Sequence, residues 1–177
     1  MSAAAVMSEA APARLAAALA AQPGALLEDI AGREGVSYRA VLDALPPNEA
    51  VLLPGERFAD VWAELAGWPG HVTFLVHNAD GVFETKGAIP PGSFGRGYFN
   101  IHGDSPIGRH LRADRCAAIY FVDRLLFGRR SCSVQFVNTD GGAMFKIFVG
   151  RNEARELDPA QIDRFEAVRA REGGSAA

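Results

Sequence analysis

Through the middle of the chain apolar and polar positions alternate in short runs, and towards both ends they recur at helical spacing. From His71 to His77 the alternation sets Val72, Phe74 and Val76 on one face and His71, Thr73, Leu75 and His77 on the other, which predicts a strand. Asn78 to Gly81 reads as a turn and Val82 to Lys86 as the returning strand. Gly97 to His102, Ala117 to Leu125, Ser131 to Asn138 and Ala143 to Val149 predict four more, with Thr139-Asp140-Gly141-Gly142 closing a hairpin between the last two. Ser105 to Arg112 carries Pro106 and Gly108 and follows neither period. The Gly/Pro-rich stretch from Gly87 to Gly97 lacks the Lys-Ser/Thr of a phosphate loop and precedes a strand, so it predicts a flexible lip over a pocket.

Phe58, Val61, Trp62 and Leu65 stand at i, i+3, i+4 and i+7 between Pro54 and Gly67, a stripe that has to face a core. Asp158-Pro159 opens a final helix, with Ile162, Phe165 and Val168 inward and Arg164, Glu166 and Arg169 outward. Near the N-terminus, Pro12 to Ala21, Ala25 to Gly32 and a segment capped by Ser37 and stopped by Pro46-Pro47 predict three short helices. The fold class is therefore α+β: an antiparallel meander with helices at both ends and a small helix-turn-helix-like N-terminal extension. The expected boundaries are a disordered tail over 1–11, a helical module over 12–50, an α+β domain over 51–172 and a loose tail from 173.

A chain of 177 residues, 49% hydrophobic, is long enough for one well-buried domain plus such an extension. Its formal charge of −3 gives no pull towards nucleic acid or an anionic membrane. Residues 1–50 set three arginines against six carboxylates, so the helix-turn-helix pattern is not expected to bind DNA. Cys116 and Cys132 lack a CxxC spacing and read as reduced thiols. Leu15 to Ala21 is apolar without the basic flank of a signal peptide, and no run of 18 apolar residues occurs; a cytoplasmic protein is expected.

Candidate chemistry begins with the four histidines. His77 ends a strand beside Asn78, and His110 follows Arg109 in the irregular segment, whereas His71 and His102 read as surface or structural imidazoles. Two histidines do not specify zinc, but a porphyrin supplies four nitrogens and needs only one or two axial groups. Arg109, Arg112 and Arg115 surround His110, with Arg96 earlier, and guanidinium groups pair well with carboxylates. Phe74, Phe83, Tyr98, Phe99, Tyr120, Phe121, Phe136 and Phe148 could line a slot for a flat ring, although most are needed for the core. Glu84, Asp104 and Asp123 form no acid/base motif, and no GxSxG elbow occurs. The residues alone describe an α+β domain suited to an aromatic anion.

At VTFLVHNADGVFETKG, GYFNIHG, GRHLRADRC and MFKIFVGRNEARELDPAQIDRF the chain resembles the haem-utilisation cytosolic carrier proteins of the HutX/ChuX-like family. The likeness runs from the N-terminal helices to about Phe165, and the family is similar to one half of the tandem-repeat haem-transport proteins of HemS type. The resemblance implies a homodimeric carrier, not an enzyme, that holds haem as cargo and passes it to a haem-degrading partner protein. It implies His77 and/or His110 as the candidate axial ligands of the haem iron; Arg109, Arg112 and Arg96, from the cation cluster, are the candidates for neutralising propionates. His102 stands where a basic residue is expected and Arg109 where a small one is, so His102 joins the ligand candidates. The rival readings are a haem-degrading oxygenase-like enzyme and a haem-responsive DNA-binding regulator. Other tetrapyrroles stay open as cargo.

Overall fold

The computed structural model describes the backbone of residues 3–173 and the side chains of residues 12–173. Three helices, α1 (Ala3–Ala21), α2 (Leu27–Glu34) and α3 (Tyr38–Asp43), precede β1 (Ala50–Pro54) and α4 (Phe58–Ala66). Eight strands follow: β2 (Val72–Asn78), β3 (Gly81–Gly87), β4 (Gly92–Gly95), β5 (Tyr98–Ile101), β6 (Arg109–Leu111), β7 (Cys116–Leu126), β8 (Arg129–Asn138) and β9 (Ala143–Phe148). The helix α5 (Pro159–Gly173) ends the described chain. The α+β class and the helices at both ends hold. The Ser37 hydroxyl accepts the Ala40 amide and caps α3, and Asp158 accepts the Ala160 and Gln161 amides and caps α5.

The strands do not form one meander. The large sheet has the order β1-β7-β8-β9-β2-β3, antiparallel throughout, while β4-β5-β6 forms a separate three-stranded sheet. Two pairings are non-local, β1 with β7 and β9 with β2; in the second, Thr73, Phe74 and Leu75 pair with Phe148, Ile147 and Lys146. Local alternation carries no information about such a pairing.

Each face of the large sheet has its own core. On one side Ile119, Phe121, Val134, Phe136, Phe145 and Ile147 pack against Phe58, Val61, Trp62 and Leu65 of α4 and Phe165 of α5. Phe58 meets Phe99 and Phe136 edge-on at 5.2 Å, so the small sheet docks on this same side. On the other side Ala118, Tyr120, Val122 and Val137 receive Leu15 and Leu19 of α1, Leu27 and Ile30 of α2, and Val41 and Leu42 of α3. The N-terminal helices thus cover the β7–β8 half of that face.

Several expectations need correction. The helix α1 already begins at Ala3, ahead of the expected start at Pro12, because its alanine-rich sequence favours helix even with Pro12 inside it. Positions 1–2 and 174–177 lie outside the described residues. The Gly87–Gly97 stretch is not a lip. Ile89 and Pro90 are buried, the Trp62 indole donates to the Pro90 carbonyl at 2.8 Å, and Gly92–Gly95 pairs with β5. Ser105 to Arg112 contains β6. Arg169, expected outward, is largely buried and lies 3.3 Å from Asp123, tying α5 to β7.

Candidate functional site

The β9–β2–β3 half of the face shared with the N-terminal helices bears a cavity of about 770 Å³. Register and alternation determine what lines it. On β2 the residues Thr73, Leu75 and His77 share one face. Phe148 lies across from Thr73 on β9 and Lys146 from Leu75, while Lys86, Glu84 and Val82 of β3 lie across from Thr73, Leu75 and His77. The β7–β8 hairpin contributes Leu126, Phe127, Arg129 and Ser131, and Leu26 at the start of α2 closes one end. The result is an apolar wall edged by cations. Among the described residues neither Lys86 nor Arg129 has an ion-pair partner, while Arg151, also at the edge, donates to the carbonyls of Arg155 and Arg130.

His77 is half-buried in this cavity. Its Nδ1 lies 3.1 Å from Oε1 of Glu28, on α2, which leaves Nε2 for a ligand. The same Glu28 oxygen pairs with the ammonium of Lys146, and Lys146 also stands over the Tyr38 ring, 4.8 Å from its centroid. Burial pushes the Lys146 ammonium below its ordinary pKa, and the Glu28 carboxylate opposes that shift. Burial, reinforced by Glu28, raises the Tyr38 phenol, whose hydroxyl donates to Gln135, itself bonded to Ser133. This polar network joins α2 and α3 to β8 and β9. The second Glu28 oxygen, Oε2, is buried and has no hydrogen-bond partner among the described residues.

His110 lies elsewhere. It sits on β6 of the small sheet, exposed, opposite Asn100, whose Oδ1 accepts its Nδ1–H at 2.6 Å. The Tyr98 ring is 5.7 Å away. Neither His110 nor Arg96, Arg109 or Arg112 lines the cavity that holds His77. Arg112 is taken up by a two-pronged bond to Asp114, at 2.8 and 2.6 Å. Arg96 occupies the turn between β4 and β5 at a φ of 53°, and Arg109 opens β6 at a φ of 122°. The Nε2 of His102 is taken by the Ser93 hydroxyl at 2.8 Å, and His71 stands at the cavity's edge. Of the aromatic residues singled out in sequence, only Phe148 faces the cavity, whereas Phe99, Tyr120, Phe121 and Phe136 are core.

Glu28, Lys86 and Arg129 were not singled out from sequence, and neither were three further groups at the site. Phe127 lines the cavity mouth at 75% exposure, in a two-residue turn. Lys146 reads in sequence as one polar position in an apolar strand, and that isolated charge was the available signal. Gln161 of α5 is fully buried. It accepts the Gly150 amide at 2.8 Å and donates to the carbonyls of Pro69 and His71, holding the end of β9 against the start of β2. At Gly150 a Cβ would come within 2.1 Å of the His71 carbonyl oxygen, so only glycine permits this approach.

These residues fit a planar ligand that combines a metal with carboxylates. The volume lies within the ~300–1,000 Å³ of small-molecule pockets. His77 offers one ring nitrogen, the wall is apolar, and the cations lie at the edge. Among the described residues no three His, Cys, Asp or Glu side chains converge to hold a bare ion.

The family model described as haem utilisation ChuX/HutX matches residues 51–168. The chain is 32% identical over 156 residues to the intracellular haem transport protein HutX of Vibrio cholerae serotype O1, covering 88% of this chain and 80% of that one. A solved structure from Agrobacterium tumefaciens superposes with a TM-score of 0.85 at 47% identity, covering 97% of this chain and 98% of that one. The solved structure of the haem-binding protein ChuX gives a TM-score of 0.79 at 35% identity, over 89% and 97% of the two chains. The fold also recurs in the longer PhuS of Pseudomonas aeruginosa, with a TM-score of 0.72 at 16% identity, where 88% of this chain covers 46% of that one. On the matched residues and this likeness along most of its length, the chain belongs to the ChuX/HutX family of haem utilisation.

Proposed function

We propose that this protein is a haem carrier working inside the cell, with haem as exchangeable cargo in the cavity of the large sheet. The observation that carries the reading is His77, with Nδ1 beside a carboxylate and Nε2 left for iron, in a cavity with an apolar wall and a cationic edge. A carrier has to release what it binds. One imidazole in a pocket open to solvent gives ligation that a recipient can displace. The related HutX and ChuX, named for haem transport and haem binding, support the same reading. His77 is the proposed axial ligand, and Lys86 and Arg129 are the proposed partners of the propionates. His110, with Arg109, Arg112 and Arg96 near it, is the alternative ligand site. No helix among the described residues is long and apolar enough to cross a membrane.

The test is transfer. Protein loaded with haemin is mixed with a haem-degrading enzyme and, separately, with ascorbate and catalase. A carrier passes its haem to the enzyme and shows no verdohaem or biliverdin with ascorbate alone. Degradation without the second protein would make it an oxygenase.

A homodimer is part of the proposal. In the large sheet β3 is an edge strand, with Val82 and Phe83 exposed at 52% and 67%, and the N-terminal helices leave the β9–β2–β3 half open. A second copy pairing along the β3 edge would bury Val82 and Phe83, as the second part of a two-repeat chain could, and would leave the cavity open. Sedimentation at micromolar concentration should give the mass of two chains. A monomer at all concentrations contradicts this part.

A further inference from the structure

We propose that Glu28 of α2 is a positioning residue for His77, accepting its Nδ1–H when haem is bound, so that the N-terminal helical module forms part of the haem site. The inference rests on the reading of His77 as the axial ligand. Three observations carry it. The Nδ1 of His77 lies 3.1 Å from Oε1 of Glu28, within reach of a charge-assisted hydrogen bond. Glu28 also keeps acceptor capacity: among the described residues Lys146 is the one hydrogen-bond donor to Oε1, the oxygen that faces His77, and Oε2 has none. A carboxylate oxygen has two lone pairs, so Oε1 can accept the His77 N–H alongside the Lys146 ammonium. Finally, Glu28 is held in place. Leu27 and Ile30, one residue before it and two after, are buried in the core that the N-terminal helices make with the sheet, so α2 holds the Glu28 backbone beside His77.

The chemistry follows from how imidazole binds metals. A histidine ligand needs one tautomer and one ring orientation, and an acceptor on the non-ligating nitrogen supplies both. An anionic acceptor also increases the basicity of the ligating nitrogen, which strengthens the iron–imidazole bond. Here that acceptor does not come from the sheet that bears the histidine. It comes from the helices on top, so iron ligation and module docking stabilise one another by linkage. The N-terminal module is thereby given a role other than DNA binding: it holds the ligand ready, and its departure loosens the cargo.

The experiment uses the full chain, with haemin as probe, in five forms: wild type, Glu28→Gln, Glu28→Ala, Lys146→Met and His77→Ala, with Asp29→Asn on the exposed side of α2 as a control. Resonance Raman of the reduced complexes reads the iron–histidine stretch, and a Soret titration reads affinity. The stretch is expected to fall in frequency in the order wild type, Gln, Ala, with haemin affinity lowered about 10–100-fold in Glu28→Ala. Lys146→Met separates positioning from mere structural support. Freeing Glu28 from the lysine should keep or raise the frequency, whereas a purely structural Glu28–Lys146 clamp predicts the same loss in both variants. An unchanged frequency in both Glu28 variants, with the band lost in His77→Ala, overturns the inference and leaves the site reading standing. A band that survives in His77→Ala removes the ligand itself, and both fall together.

Discussion

A porphyrin dicarboxylate entering this cavity would meet the His77 imidazole and two cations, Lys86 and Arg129, that no other side chain among the described residues neutralises, and the cations set a measurable part of its affinity. Lys86 and Arg129 are solvent-exposed, so each pairing with a propionate is worth about 0.2–1 kcal/mol. Replacing both by glutamine should weaken haemin binding roughly two- to thirtyfold, an effect that shrinks with added salt. The dimethyl ester of haem, which has no carboxylates, should bind wild type and variant alike; an equal loss for the ester would place the propionates elsewhere. The histidine was legible from sequence because the period-2 pattern from His71 to His77 fixes its face. The cations were not. Lys86, on β3, joins Lys146 and Arg129, on the β8–β9 hairpin, only through the β9–β2 pairing. Arg109 and Arg112, by contrast, adjoin His110 in sequence and so read as one cluster. Asp114, only two residues further on, claims Arg112, a pairing that the emphasis on the cation cluster hid.

Among the elements, the β7–β8 hairpin is where stability has been given up. Leu126 pairs with Arg129 across a two-residue turn in which Phe127 and Gly128 have φ of 49° and 77°, the all-positive geometry of a type I′ hairpin. Asn-Gly suits such a turn, and a phenylalanine there carries a left-handed penalty of about 1–2 kcal/mol. Phe127→Asn should therefore raise the melting temperature by about 2–4 °C. It should also weaken haemin binding, because an aromatic wall worth roughly 0.5–1.5 kcal/mol is lost from the cavity mouth. If the variant is more stable and binds equally well, Phe127 is not part of the site. Local spacing was a good guide to α4, whose four apolar positions are all buried as their period requires. It failed for Gly87–Gly97, since nothing in a Gly/Pro-rich run shows that Ile89 and Pro90 will be held by Trp62.

For the whole molecule, the two cores on either side of one sheet set how it responds to alkali. Burial pushes the Cys116 thiol up to about 11 and the Cys132 thiol up to about 12, and it raises the Tyr38 and Tyr120 phenols as well. All four groups are favoured neutral in the folded chain. Their contribution is complete below the ordinary thiol value of 9.0 and is lost as pH rises through about 11 and 12. Denaturant midpoints should thus be steady up to about pH 9 and fall above it, and both thiols should resist alkylation at pH 8 until the protein is unfolded. Rapid native-state alkylation of Cys132 would contradict this account of its burial. The α+β class could be read from alternating and helical periods, whereas the split into two sheets could not, because strand order depends on partners more than fifty residues apart, such as β1 with β7. The central claim concerns the ligand, and it is tested most directly by titrating haemin into wild type, His77→Ala and His110→Ala and following the Soret band. The account predicts saturable binding to wild type, a shifted and weakened band in His77→Ala, and a band in His110→Ala that matches wild type. A spectrum that changes in His110→Ala and not in His77→Ala would contradict it and move the haem to the small sheet.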